Sequence, residues 1–180
     1  MSTRKLRKTF AKLPTEIFHL IPQFTGDFQT LLSLCSVDRG LYRSAAPLAY
    51  QFIKLTSGTE VDSFCTSRYL DATYISKLQI GPKYCYNDNQ TISVDPQLVQ
   101  RALAGMKNLK SLYLMVSPEQ LTEILKDIVM SFSLDTFVYS GRFSESLLSL
   151  LEVQPSITKL GWHGPATESD ANLLRTWVAI

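Results

Sequence analysis

The chain has 180 residues, 45% hydrophobic and 19% charged, enough for one or two packed cores. Its formal net charge of +2 comes from Arg4, Lys5, Arg7, Lys8 and Lys12; beyond residue 12 there are 13 basic against 16 acidic side chains, a net of −3, which excludes a basic nucleic-acid platform. No run approaches ~18 consecutive apolar residues, so no membrane span is expected, and Cys35, Cys65 and Cys85 lack the spacing of a disulfide framework or a zinc site.

In chain order, residues 1–12 read as a basic, solvated, disordered tail, with a nuclear-import patch or a mitochondrial presequence as the alternatives. No secretory-type apolar segment precedes Leu13, and the expected compartment is the cytoplasm, the nucleus or both. A first helix is predicted from Pro14, which suits a first turn because its missing N–H would have had no partner there. Leu13, Ile17, Leu20, Ile21 and Phe24 fall on one stripe of period 3.6. Pro22 should shorten or kink this helix by removing a backbone hydrogen bond. Thr25-Gly26-Asp27 breaks and recaps the chain, Leu31, Leu32, Leu34 and Cys35 load a second helix, and a third from Ser36 or Asp38 carries Val37, Leu41, Tyr42 and Ala45 until Pro47 ends it. So small a unit cannot bury that much hydrocarbon by itself. The surplus predicts a partner.

The order of these residues resembles the F-box family. The signature segments are Leu13-Pro14-Thr15-Glu16-Ile17, Asp27-Phe28-Gln29-Thr30-Leu31-Leu32-Ser33-Leu34, Arg39-Gly40-Leu41-Tyr42-Arg43 and Pro47-Leu48-Ala49-Tyr50, giving an F-box over residues 13–48. The resemblance implies docking to a Skp-family adaptor, and through it to a cullin, with Leu13, Pro14, Ile17, Ile21, Leu31, Leu34, Val37 and Leu41 contributing the adaptor-binding surface.

Residues 49–180 repeat a hexamer, apolar-x-x-apolar-x-apolar: Tyr50-Ile53-Leu55, Ile75-Leu78-Ile80, Leu109-Leu112-Leu114, Leu134-Phe137-Tyr139 and Ile157-Leu160-Trp162, with starts 25, 34, 25 and 23 residues apart. The last two apolar positions of each lie two apart and therefore face one side of a strand. Between them run capped amphipathic segments starting at Thr59-x-x-Asp62, Asp95-Pro96, Ser117-Pro118-Glu119-Gln120, Ser144 and Thr167-x-x-Asp170. Strand and helix alternate five times, which predicts an α/β fold with right-handed crossovers onto a parallel sheet. The near-constant period favours helices on one face over a doubly wound sheet. With the F-box in front, the whole resembles F-box proteins carrying leucine-rich repeats, here an irregular solenoid. Regular repeats carry Asn or Cys eight residues after the first apolar position, where this chain has Lys83, Ser117, Arg142 and Pro165.

No nucleophile elbow, Walker loop, dinucleotide fingerprint or metal-ligand cluster is present in the sequence, so no catalysis and no cofactor are expected. The 34-residue interval places Tyr84, Tyr86 and Asn87 after a strand's C-terminal end, a composition suited to recognition. Arg142, Trp162 and His163 occupy equivalent edges in later repeats. These six are the candidate substrate-binding residues. The expected function is substrate adaptor of an SCF-type cullin-RING ubiquitin ligase, holding an unknown protein target, with neither nucleic acid nor membrane as partner. The rivals are a small α/β enzyme or nucleotide-binding protein with a helical cap, and an F-box scaffold outside a ligase. The array stops on the apolar run Leu173 to Ile180, which predicts either a longer parent protein or self-association through the last strand's edge.

Overall fold

A computed structural model describes residues 14, 17, 20–25, 27–67, 71–82, 91–126, 131–140 and 145–163. The chain divides into two compact units, Met1–Phe52 and Ile53–Ile180.

In the first unit, the amide of Ile17 donates to the Pro14 carbonyl at 3.0 Å, and Ile17 and Leu20 have helical backbone. A 3-10 turn then covers Ile21–Phe24. Pro22 cannot donate within an α-helix, and the tighter turn is the local solution. It has a consequence for the predicted apolar stripe: Pro22 is buried, while Phe24 is 83% exposed. Helix α1 (Phe28–Val37) begins where Asp27 accepts from the Thr30 amide, and α2 (Arg39–Ala49) begins one residue after α1 ends, at Asp38, which accepts from Gly40. Pro47 does not end α2. It lies in the last turn, where the lost bond is a single one, and the helix closes with the Tyr50 amide on the Ala46 carbonyl. Leu31, Ala45 and Ala49 form the small core between the two helices, with Leu32, Leu34 and Cys35 against it.

The second unit carries a five-stranded sheet in the order β1 (Phe52–Leu55), β2 (Lys77–Ile80), β3 (Ser111–Leu114), β4 (Thr136–Ser140) and β5 (Lys159–His163). Strands β2 to β5 pair in parallel, Lys77 with Ser111, Ser111 with Thr136 and Thr136 with Lys159. These register offsets equal the hexamer spacings of 34, 25 and 23. The first apolar residue of each hexamer precedes its strand: Ile75, Leu109, Leu134 and Ile157 are all buried at the foot of the sheet.

Helices α3 (Gly58–Thr66), α4 (Pro96–Ala104), α5 (Pro118–Leu125) and α6 (Glu145–Val153) alternate with the strands, and neighbours α3–α4, α4–α5 and α5–α6 pack together. One continuous core joins Leu78, Ile80, Leu112, Leu114, Phe137 and Tyr139 of the sheet to Val61, Val99, Leu103, Leu121, Ile124, Leu147 and Leu150 of all four helices. All four helices therefore cover the same sheet face, as a sequential parallel order with constant crossover hand requires. Doubly wound packing is excluded for these elements. The fold is α/β, with six α-helices and the five-stranded sheet among the described residues.

Several local expectations change. Helix α3 is capped by Ser57 and not by Thr59, because Glu60 reaches back to the Thr56 amide and hydroxyl while its own amide donates to the Ser57 hydroxyl. Asp95 and Ser117 cap α4 and α5 as the sequence predicts. Gln120, however, does not close a capping box, since its amide donates across to the Val94 carbonyl at 2.8 Å. Helix α5 ends at Leu125, and Phe132 is buried beyond it. The predicted caps at Ser144 and Thr167-x-x-Asp170, and the apolar run Leu173 to Ile180, lie outside the described residues; β5, whose outer edge the sequence predicts to be open, is the last strand in the sheet order among the described residues.

Candidate functional site: an apolar docking surface

Helix α1 shows why the first unit cannot satisfy itself. Of Phe28, Leu31, Leu32, Leu34, Cys35 and Val37, only Leu31 is buried. The Asp38 corner holds α1 and α2 close, and Leu31 of α1 packs against the small side chains Ala45 and Ala49 of α2. Much of the hydrocarbon is left facing outward. Among the described residues, the exposed large hydrophobic side chains are Ile17, Leu20, Phe24, Phe28, Val37, Leu48, Phe52 and Val153. All but Val153 belong to the Met1–Phe52 unit. Singly scattered exposed hydrophobics are ordinary on proteins, and it is their concentration in one unit that makes that unit the candidate docking surface.

The predicted adaptor-binding residues divide by exposure. Pro14, Ile17 and Val37 are exposed, and Ile21 and Leu34 are half-buried. Leu31 and Leu41 are buried by the protein itself and present no free surface; Leu31 packs between the helices. Leu13 lies outside the described residues. Phe24, Phe28 and Leu48 were not singled out, although Phe28 and Leu48 stand within the signature segments and were legible there. At the α1–α2 corner an open depression of ≈ 500 Å³ is lined by Cys35, Ser36, Val37, Asp38, Arg39 and Tyr42. Burial pushes the Cys35 thiol up, and burial, then the neighbouring Cys35 and Tyr42, push the Tyr50 phenol up, so neither group is prepared as a nucleophile at neutral pH.

Of the candidate substrate-binding residues, Tyr84, Tyr86, Asn87 and Arg142 lie outside the described residues. Trp162 and His163 lie on β5, whose register places them beside Tyr139 and Ser140; their side chains are outside the described set. Gly81, at φ 107, donates its amide to Leu55, and Ile92 bridges Val116, so both flanks of the long interval sit at the C-terminal edge of the sheet.

Cys65 is held by burial, and secondarily by the charges of Asp62 and Asp95, at a pKa of about 11, which keeps it a thiol. No group of three or more His, Cys, Asp or Glu side chains that could hold a metal occurs among the described residues. No helix among them is long and apolar enough to cross a membrane. We find no protein-family model and no curated protein that matches this chain.

Proposed function

We propose that the chain is a substrate-recognition adaptor of an SCF-type cullin-RING ubiquitin ligase. In this reading the Met1–Phe52 unit is an F-box that docks a Skp-family adaptor, and the Ile53–Ile180 unit is an irregular leucine-rich-repeat-like solenoid that holds a target protein. The observation that carries the reading is the gathering of exposed apolar side chains, Ile17, Phe24, Phe28 and Val37 among them, in the unit that bears the F-box-like segments. The register offsets of 34, 25 and 23 residues, which match the hexamer spacing, and the single helix layer support the repeat array. The chain acts by proximity, raising the effective concentration of a target's lysines near a charged ubiquitin-conjugating enzyme.

Purified Skp-family adaptor tests the docking half. Ile17→Ser with Val37→Ser, both at exposed positions, should abolish capture of the chain by immobilised adaptor while the circular dichroism spectrum is kept. Undiminished capture of the double variant, or no capture of the wild-type chain, rejects the reading. Leu31 is unsuited to this test because it is part of the unit's own core.

A further inference from the structure

The sheet face turned away from the helices carries a pattern of its own. Alternation along the strands places Lys54 on β1, Lys77 and Gln79 on β2, Ser111 and Tyr113 on β3, Thr136 and Val138 on β4, and Lys159 on β5 outside the core that the helices cover. The five strands contain three lysines and no Asp or Glu. Acidic side chains sit instead in the helix layer, which carries Glu60, Asp62, Glu119, Glu123 and Glu152 with the N-cap Asp95, against Arg101 and the C-cap Lys126 as its basic residues among those described. At the foot of the sheet Lys110 and Asp135 occupy adjacent positions, joined by the Asp135 amide on the Lys110 carbonyl, and the Lys110 ammonium donates to the Ser133 carbonyl. A unit drawn from a stretch of net negative charge has thus gathered positive charge on one face.

The register gives that face a length. Lys77, Ser111, Thr136 and Lys159 form one row across four strands. Three strand steps of ~4.8 Å put the two lysine positions ~14 Å apart, about four residues of extended chain at ~3.4 Å each. Only the short side chains Ser111 and Thr136 stand between them. The next row offers the half-buried Tyr113 and Val138 as an apolar centre, and the Lys77 ammonium lies 4.8 Å from the Tyr113 ring centroid, which draws it toward that centre.

We propose that this face, opposite the described helices, binds an extended acidic segment of a partner protein, with two carboxylates about four residues apart and an apolar residue between them. It deepens the target-holding half of the function proposed above and rests on that reading for the partner's role as a target. A nucleic acid fits less well: the five strands contain no arginine, and a phosphate backbone requires a longer run of matched cations.

The test is fluorescence anisotropy on the full chain without adaptor, so that its result is separate from the docking experiment. The probe is a labelled peptide with an Asp-Ser-Leu-Ser-Asp centre, compared with spacings two residues shorter and longer, a Lys-Ser-Leu-Ser-Lys counterpart and a single-stranded oligonucleotide. The acidic peptide of matched spacing should bind best, and Lys77→Glu with Lys159→Glu should weaken it about tenfold or more. Glu123→Lys in the helix layer should leave it unchanged. If charge reversal disturbs folding, Lys77→Ser with Lys159→Ser serves, with a smaller loss expected in the same direction. Absence of binding, equal binding of the basic peptide, tighter binding of the oligonucleotide, or an undiminished affinity in the lysine variants overturns the proposal.

Discussion

Gln154 illustrates how much one side chain carries in this fold. It is buried just after α6, where its carbonyl oxygen accepts from the Leu134 amide at 2.9 Å and its amide donates to the Phe132 carbonyl at 3.0 Å. Replacing it by Ala strands two buried backbone groups, each worth about 1–3 kcal/mol, so Gln154→Ala should cost roughly 2–4 kcal/mol in urea denaturation. Gln154→Glu should also destabilise, despite its shape, because it sets an acceptor against the Phe132 carbonyl. Asp27 acts through charge. The Thr30 hydroxyl and amide both donate to its carboxylate and hold its pKa below the usual carboxylate value. A carboxyl whose folded pKa is depressed contributes stability above the unfolded value, about 4, and loses it as pH falls through the folded value. Asp27→Asn keeps a capping oxygen but has no charge to lose. The gap between wild type and variant should therefore narrow between pH 7 and pH 3, read from the urea midpoint by far-ultraviolet circular dichroism.

At the scale of elements, α1 separates two roles that composition leaves mixed. Leu31 packs on Ala45 and Ala49, whereas Phe28 is exposed on the same helix. Leu31→Ala should cost about 2 kcal/mol or more, while Phe28→Ser should stay within about 0.5 kcal/mol. The opposite order of melting temperatures would mean that the exposed face belongs to the protein's own core. In the second unit, side chains tie each strand–helix segment to the one before it. Asn108 donates to the Thr73 carbonyl, Gln120 to Val94, Ser131 to Ala104 and Ser140 to Val116. Ser117, at one of the positions where a regular repeat has Asn, is spent on capping α5.

Across the whole molecule, the core of the second unit runs without interruption from Leu55 to Ile157. A cavity at its middle should be felt throughout. Leu112→Ala, on the central strand and fully buried, should cost about 3–5 kcal/mol and lower a single unfolding transition of that unit, with no separate early step confined to β3. Coincident midpoints by circular dichroism and hydrogen exchange in the helices would bear this out; an early isolated loss of the central strands would contradict it.

What the sequence determined by itself was whatever depends on local periodicity. The hexamer spacing fixed the register offsets of the sheet because each apolar triplet must lie beside the next to be buried, and Asp27, Asp95 and Ser117 announced helix starts because a capping side chain needs only its own next turn. Tertiary structure alone decided matters that depend on distant neighbours. Ser57 displaced Thr59 as a cap once Glu60 reached Thr56, Gln120 turned from its own helix to Val94, and Phe24 left the buried stripe when Pro22 tightened the backbone. Lys77 and Lys159 stood 82 positions apart as unremarked spacers between apolar residues. Only pairing across β3 and β4 set them in one row, because a strand's alternate face acquires meaning from the strands beside it.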